Sequence, residues 1–395
     1  MTEPINIPKR CREVLVVSHY YAAHGGGIER VVNNLIVEIS IVGNFRFTWV
    51  ASNCDLPPTI PGQVMQPMRV LNFLERMCGL PLPLWGPRSL WRLKRAVAAS
   101  DIVWLHDTLY MGNISAFIMA RWMKKPVLIT QHIGPITYRN AALRWIMKCA
   151  DRYITHKMLK LANQVNFISD AVAEHYYRAI SFKTPVKIIP NGVDIDIFQP
   201  VLPEKRQVLR DQFALRRDQP VLLFVGRFVE RKGLSVIRHL AESLPEWRFW
   251  LVGRGPIDPN QWRLPNIHVF KDRADATLAE LYQAADMLIL PSYGEGFPLV
   301  IQEAMACGLP VLCSPSVAAG SQIASPYLLT ASVDPQNVKH TAQLWTKKLM
   351  TQRPLLPLKQ AKWDLANFVQ DFWLWSRIGG YYDDLLQTMC KRTTR

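Results

Sequence analysis

Tyr293–Ser314 reads YGEGFPLVIQEAMACGLPVLCS. A Gly-flanked loop, Gly294-Glu295-Gly296, leads to Pro298, which suits the first turn of a helix because its missing N–H costs nothing there. Gly308-Leu309-Pro310 is a plausible C-terminal stop. The apolar run Val311–Cys313 that follows reads as a buried strand. Loop, helix and strand in this order are one unit of a parallel α/β sheet.

The spacing of the two acids carries the chemistry. Glu295 precedes the helix and Glu303 lies inside it. Pro298 to Glu303 is a rise of roughly 7–8 Å. A ligand crossing this element meets a loop carboxylate, then the free N–H groups at the helix start, then a second carboxylate. A helix start suits phosphate, and carboxylates suit hydroxyl groups. A ligand with hydroxyls on both sides of a diphosphate is a nucleotide sugar. Glu303 also has Leu299, Val300 and Cys307 on its helical face, where a carboxylate is costly unless something satisfies it. The plain alternative is an exposed helix Glu beside a turn Glu.

Similar apolar runs recur along the chain. Val14–Ser18, Arg46–Ala51, Asp101–Leu105, Val127–Thr130, Val165–Ile168 and Val186–Ile189 form a first series. Val221–Val225, Trp247–Val252, Ile267–Phe270, Met287–Leu290 and Val311–Cys313 form a second. Helical patterns separate most of them, so the fold class is α/β with two Rossmann-like domains. The boundary falls near Asn191–Val201. The expected domains are 1–195 on the acceptor side, joined by a C-terminal helix 373–395, and 196–372 for the nucleotide sugar. Ligands in such sheets bind beyond the carboxyl ends of the strands. The segment 53–90 is Pro-rich and is read as irregular. The aromatic stripe Phe368, Phe372, Trp373, Trp375, Tyr381 and Tyr382 reads as core packing.

The 395 residues are 49% hydrophobic, enough for large cores and against disorder. Seven cysteines with no C-x-x-C suggest neither a disulfide framework nor a zinc site. Cys307 and Cys313 sit in apolar surroundings. No secretory signal and no run of 18 apolar residues is evident, so a cytoplasmic or peripheral protein is expected. The net charge is +16, and residues 1–200 hold +10 of it. Between 121 and 160, Arg121, Lys124, Lys125, Arg139, Arg144, Lys148, Arg152, Lys157 and Lys160 face one acid, Asp151. Leu143, Trp145, Ile146, Met147, Tyr153 and Ile154 are interleaved with them. This reads as basic amphipathic helix suited to an anionic membrane surface, or as the solvated face of an ordinary core helix. No nucleic-acid motif accompanies the charge.

Four further stretches follow strands. VLLFVGRFVERKGL brings Gly226 to a turn, with Arg227 and Lys232 flanking the loop and Arg231 equally available. A guanidinium fork and a compact ammonium together neutralise a diphosphate. LVGRGP places Gly253 and Gly255 where backbone can approach a ligand closely. Near the start, Gly25-Gly26-Gly27 precedes a helix, a natural anion site, although it is not a Walker loop. VLITQHIG puts His132 after a strand, and His106-Asp107 is a weaker candidate of the same kind.

In this order the motifs resemble the family 4 glycosyltransferases of the GT-B fold. The likeness runs from the Gly25–Gly27 loop through IPNGVDIDIF (Ile189–Phe198), VGRFVERKG, LVGRGP and the E-x7-E stretch to the aromatic tail. It implies two Rossmann-like domains with parallel sheets facing a central cleft. It implies a retaining hexosyltransferase acting on a nucleotide-sugar donor, with no catalytic metal and no cofactor. By the resemblance, Glu295 contacts donor-sugar hydroxyls and Glu303 the ribose. Arg227 and Lys232 hold the diphosphate, helped by backbone N–H groups near Phe297, Pro298, Leu299 and Val300. Gly25 and Gly26 approach the donor phosphate or the acceptor, and His132 lies beside the transferred sugar. The family often has a glycine after the strand ending at Phe270; Lys271 stands here. The acceptor is expected to be lipid-linked or a saccharide, at the inner membrane face, in cell-surface polysaccharide synthesis. The competing readings are a non-catalytic nucleotide-sugar or anionic-polymer binding protein, and a UDP-sugar epimerase of similar architecture.

Overall fold

The computed structural model describes residues 12–71, 84–134, 141–293, 295–352 and 359–393. Cys11, Cys78, Arg139 and Gly294 lie outside them. The chain divides into two compact units. One comprises Met1–Ile168, Val172–Pro190 and Trp375–Arg395; the other comprises Ser169–Ala171 and Asn191–Leu374.

The first unit contains β1 (Arg12–Val17), β2 (Phe45–Ser52), β3 (Val64–Met68), β4 (Val70–Leu71), β5 (Leu84–Trp85), β6 (Ile102–His106), β7 (Val127–Gln131), β8 (Gln164–Phe167) and β9 (Lys187–Ile188). Seven of these form one sheet, ordered β3-β2-β1-β6-β7-β8-β9, with every neighbouring pair parallel. Its central strands are buried on both faces, which is why they read as unbroken apolar runs.

Two expectations are corrected here. The 53–90 segment is not wholly irregular. Val64–Met68 adds an edge strand beside β2, where Pro67 is tolerated because an edge position need not donate to the ladder. Val70–Leu71 and Leu84–Trp85 pair antiparallel, and a helix starts at Pro87. The basic stretch 121–160 is likewise not one helix. Met111–Trp122 ends one helix, β7 intervenes, and a second helical run follows as Ala141–Ala150, a π-turn Asp151–Thr155, and His156–Leu161. The strand between the two basic clusters is the apolar run Val127–Thr130 already legible in the sequence.

The helix Trp375–Thr393 belongs to this first unit and packs along the helix Gly27–Val42. Asn44 donates to the Asp383 carboxylate. The buried Tyr382 hydroxyl accepts from Asn166 at 2.5 Å and lies 3.4 Å from Thr130 Oγ1. These polar contacts tie the last helix to β7 and β8.

The second unit contains β10 (Val221–Val225), β11 (Arg248–Val252), β12 (Ile267–Phe270), β13 (Met287–Leu290), β14 (Val311–Cys313) and β15 (Leu329–Thr330). They form one parallel sheet in the order β12-β11-β10-β13-β14-β15. Cys307 and Cys313 are buried in its core, and burial pushes the Cys313 thiol up to about 12. Trp373 is fully buried there, while Phe372 stays half exposed, so the aromatic stripe is only partly core. Among the described residues, no helix is long and apolar enough to cross a membrane.

Both sheets reverse their order beside their first strand, between β1 and β6 and between β10 and β13. Loops leaving neighbouring strands diverge at such a point and open a crevice. Gly25–Gly27 and His106-Asp107 lie at the ends of β1 and β6, and Arg227, Lys232 and Glu295 follow β10 and β13.

Candidate active site

In the second unit, Gly226 follows β10 and a short turn Glu230–Lys232 comes next. Gly233 has φ 78°, and a Cβ there would lie 2.1 Å from the Pro291 carbonyl oxygen. Only glycine lets this turn press against the loop leaving β13. Tyr293 N–H then donates to the Arg231 carbonyl at 3.0 Å, joining the two loops through backbone.

That junction brings Lys232 to Glu295. Nζ lies 2.6 Å from Oε1, with side chains 13% and 7% exposed. Arg231 Nη1 stands 3.8 Å from the same oxygen. The sequence could not choose between Arg231 and Lys232; the structure puts Lys232 in contact and Arg231 behind it. Arg227 is exposed after Gly226. Gly226 and Lys232 are neighbours, since a Cβ at Gly226 would sit 3.5 Å from Lys232 Cε.

Gly253 and Gly255 serve the adjacent loop. A Cβ at Gly253 would meet the Gly226 carbonyl at 2.0 Å, and one at Gly255 the Phe228 carbonyl at 2.3 Å. The Phe228 N–H donates to Arg254 O at 2.7 Å. Their lack of side chains is therefore used by backbone packing on backbone, which holds the Arg227 loop in place.

Pro298 is extended (φ −72°, ψ 140°) and precedes the helix Leu299–Ala306 instead of opening its first turn. Its carbonyl accepts from Ile301 N–H at 3.0 Å. No side chain caps this helix start among the described residues, so the end is chemically suited to an anion. Phe297 is buried against Trp373, with ring centroids 5.4 Å apart, so its side chain is a packing anchor. Leu299 and Val300 are partly exposed.

Glu303 is buried at 5% exposure, and the Tyr282 hydroxyl donates to its Oε2 at 2.9 Å. This is the partner that the apolar surroundings demanded. Tyr282 comes from the helix Asp275–Ala284 and no sequence signal pointed to it. Next to Glu303, buried Gln302 donates from Nε2 to the Asn191 carbonyl at 2.7 Å, fixing the start of the IPNGVD segment on this helix.

In the first unit, His132 follows β7 and is buried. Its Nε2 lies 2.9 Å from His106 Nδ1. Burial lowers both imidazoles, His132 to about 3, so both rings are neutral and one nitrogen donates to the other. Asp107 has φ 64° and accepts through Oδ1 from the N–H groups of His132 (2.7 Å) and Ile133 (3.2 Å). Burial pushes Asp107 up to about 7 against those hydrogen bonds. Asn113 donates to the carbonyls of His106 and Asp107. The weaker pair His106-Asp107 thus turns out to hold His132.

Gly25 (φ 79°) closes a short turn, Gly26 caps the helix, and Gly27 begins it. The anion expected there meets a rival. Glu29 folds back so that a Cβ at Gly26 would lie 2.1 Å from its Oε2. The Glu29 side chain accepts from its own N–H, and burial raises it to about 7. A carboxyl group already occupies the positive end of this helix.

Comparison with known proteins decides the family. The model described as Glycosyltransferase Family 4 matches residues 25–197, and that described as Glycosyl transferases group 1 matches 219–344. The chain belongs to the family 4 glycosyltransferases. A D-inositol 3-phosphate glycosyltransferase of Xylanimonas cellulosilytica is 35% identical over 144 residues, covering 33% of this chain and 34% of that protein. The putative teichuronic acid biosynthesis glycosyltransferase TuaC of Bacillus subtilis is 26% identical over 215 residues, 54% of this chain and 53% of its own. The match therefore spans about a third to a half of these relatives.

Solved structures extend the likeness to the whole fold. Sucrose-phosphate synthase from Thermosynechococcus elongatus superposes with a TM-score of 0.71 at 19% identity, covering 96% of this chain and 99% of that one. Anabaena Alr3699/HepE in complex with UDP-glucose gives 0.68 at 15% identity, covering 95% and 100%. This family 4 glycosyltransferase has the GT-B fold.

Proposed function

We propose that the protein is a retaining glycosyltransferase that moves a sugar from a nucleotide-sugar donor to a lipid-linked or saccharide acceptor. The observation that carries this reading is the largely buried Lys232–Glu295 pair at the reversal between β10 and β13. A carboxylate and an ammonium beside an uncapped helix start match a ligand that joins hydroxyls to a diphosphate. Fold neighbours add support: the Anabaena protein is described with UDP-glucose and with UDP, and Arabidopsis starch synthase IV with ADP and acarbose.

In this reading the second unit takes the donor. Glu303, oriented by Tyr282, accepts from the ribose hydroxyls, and Glu295 from hydroxyls of the sugar. Lys232 and Arg227 face the diphosphate. When the acceptor oxygen bonds to the anomeric carbon, the bond from that carbon to the phosphate oxygen breaks. The electron pair leaves with the nucleoside diphosphate, and the acceptor proton goes to the departing phosphate. Fixed cations lower the barrier by meeting the charge where it develops. In the first unit, neutral His132 supplies a hydrogen-bonding group that carries no charge. The first unit takes the acceptor.

The acceptor class rests on the surface of the first unit. Arg144, Lys148, Arg152 and Lys157 are exposed, together with Trp145, Ile146 and Tyr153. Basic and aromatic side chains on one helical run suit the headgroup layer of an anionic bilayer. Peripheral work at the inner membrane face, supplying a cell-surface polysaccharide, is the setting this supports. Neither a metal nor a nucleic acid enters the scheme.

Thermal stability with a panel of nucleotide sugars tests the donor. A true donor at a hundredfold excess over its Kd stabilises by about 2.7 kcal/mol. Transfer to a polyprenyl-linked saccharide, with the product anomer read by NMR, tests the rest. Retained configuration supports the proposal. Interconversion of free nucleotide sugars without acceptor, or binding with no turnover, replaces it with an epimerase or a binding protein.

A further inference from the structure

Asp151, His156 and His175 lie in the first unit, apart from the residues assigned above. Asp151 begins the π-turn Asp151–Thr155. In this turn the His156 N–H donates to the Asp151 carbonyl five residues back. That widened ring stacks positions 151 and 156, which an α-helical pitch would turn away from each other. His175 reaches the same point from the helix Asp170–Tyr177.

The three side chains converge. His156 Nε2 is 3.5 Å and His175 Nε2 is 3.9 Å from Asp151 Oδ2, and all three ligand atoms lie within 4.8 Å of one another. Ligands of a tetrahedral ion with bonds of ~2.0–2.2 Å stand roughly 3.3–3.5 Å apart, so small side-chain rotations close the set. Tyr176 supplies the outer support. Its hydroxyl donates to Asp151 Oδ1 at 2.9 Å, which leaves Oδ2 facing the imidazoles. Its ring meets His156 and His175 edge-on, at 5.7 and 4.8 Å between centroids.

An ion at this point would meet one carboxylate oxygen and two imidazole nitrogens. The side chains of Asp151 and His156 are largely covered while His175 is 42% exposed, so the cluster meets solvent on the His175 side.

We propose that Asp151, His156 and His175 bind one divalent transition-metal ion, Zn2+ as the reference case, and so clamp the helix Asp170–Tyr177 to the π-turn. Two imidazoles and one carboxylate select such an ion over Mg2+ or Ca2+, which prefer oxygen ligands.

The test uses the full chain stripped of metal, titrated with Zn2+ by calorimetry and with Co2+ by visible absorption. The site predicts one ion per chain, tetrahedral Co2+ bands and a raised Tm with Zn2+. His175→Ala, a change at an exposed helix position, should weaken binding at least tenfold and abolish the Tm rise. His156→Ala should do the same. Tyr176→Phe should bind roughly tenfold more weakly with stoichiometry intact. Absence of saturable binding, or unchanged binding in both histidine variants, overturns the site. The readout is independent of sugar transfer.

Discussion

Lys232→Ala and Glu295→Gln, made singly and together, should behave as a coupled pair in stability and as opposites in nucleotide binding. At 2.6 Å the gross attraction between Nζ and Oε1 is about 6 kcal/mol at an effective dielectric constant near 20. Desolvation of both groups cancels much of that. Lys232→Ala leaves the Glu295 carboxylate largely buried with Arg231 at 3.8 Å as its remaining cation. A loss of about 3 kcal/mol is expected, the low end for breaking a buried pair. Glu295→Gln strands a more exposed ammonium and should cost about 1–2 kcal/mol. The double variant should cost about 2 kcal/mol less than the sum, a coupling typical of residues in contact. Urea denaturation measures all three. For UDP, Lys232→Ala should weaken binding by about 10- to 100-fold, the worth of a charge-assisted hydrogen bond. Glu295→Gln should leave UDP affinity equal or slightly improved, because the ammonium loses its internal rival, while sugar transfer falls. Additive stability changes, together with UDP affinity untouched by Lys232→Ala, would refute the reasoning and reduce the pair to a structural one.

Other outcomes follow from the same geometry. Tyr282→Phe should lower affinity for nucleoside diphosphates by several-fold in calorimetry, because Glu303 loses its 2.9 Å donor and the orientation that goes with it. Gly233→Ala should cost about 3 kcal/mol in urea denaturation, since its Cβ meets the Pro291 carbonyl and φ is positive. Glu29 is raised from 4.5 to about 7, so its contribution is fully present below pH 4.5 and is lost as pH rises through 7. Wild type should lose on the order of 3 kcal/mol more than Glu29→Gln between those limits in urea curves run across that range. Replacing Arg144, Lys148 and Arg152 by Gln should reduce sedimentation with anionic liposomes, at about 1 kcal/mol per charge, and leave binding to neutral vesicles unchanged.

The strands were legible because parallel sheets buried on both faces leave unbroken apolar runs, as in Val221–Val225 and Met287–Leu290. The edge strand Val64–Met68 was not, because an edge needs neither an apolar run nor freedom from proline. Glu295 and Glu303 stood out because loop and helix positions at fixed offsets are a linear signal, whereas spacing left Lys232 beside an alternative in Arg231. Asp107 showed only as a weaker candidate, and Tyr282 and Glu29 not at all, because their roles depend on what packs beside them after folding. Glu29 in particular reverses the simple reading of Gly25–Gly27: a glycine loop before a helix attracts an anion, and here the chain supplies one. The π-turn at Asp151 left no trace in the sequence, since one widened turn changes no periodicity over five residues.

A structure of the protein soaked with UDP would probe the donor site most directly. The diphosphate should lie within hydrogen-bond distance of Lys232 Nζ and the N–H groups that open the helix Leu299–Ala306, with the ribose hydroxyls on Glu303. Density for UDP at the Gly25–Gly27 loop, or anywhere that leaves Lys232 still bound to Glu295 and Glu303 untouched, would contradict it.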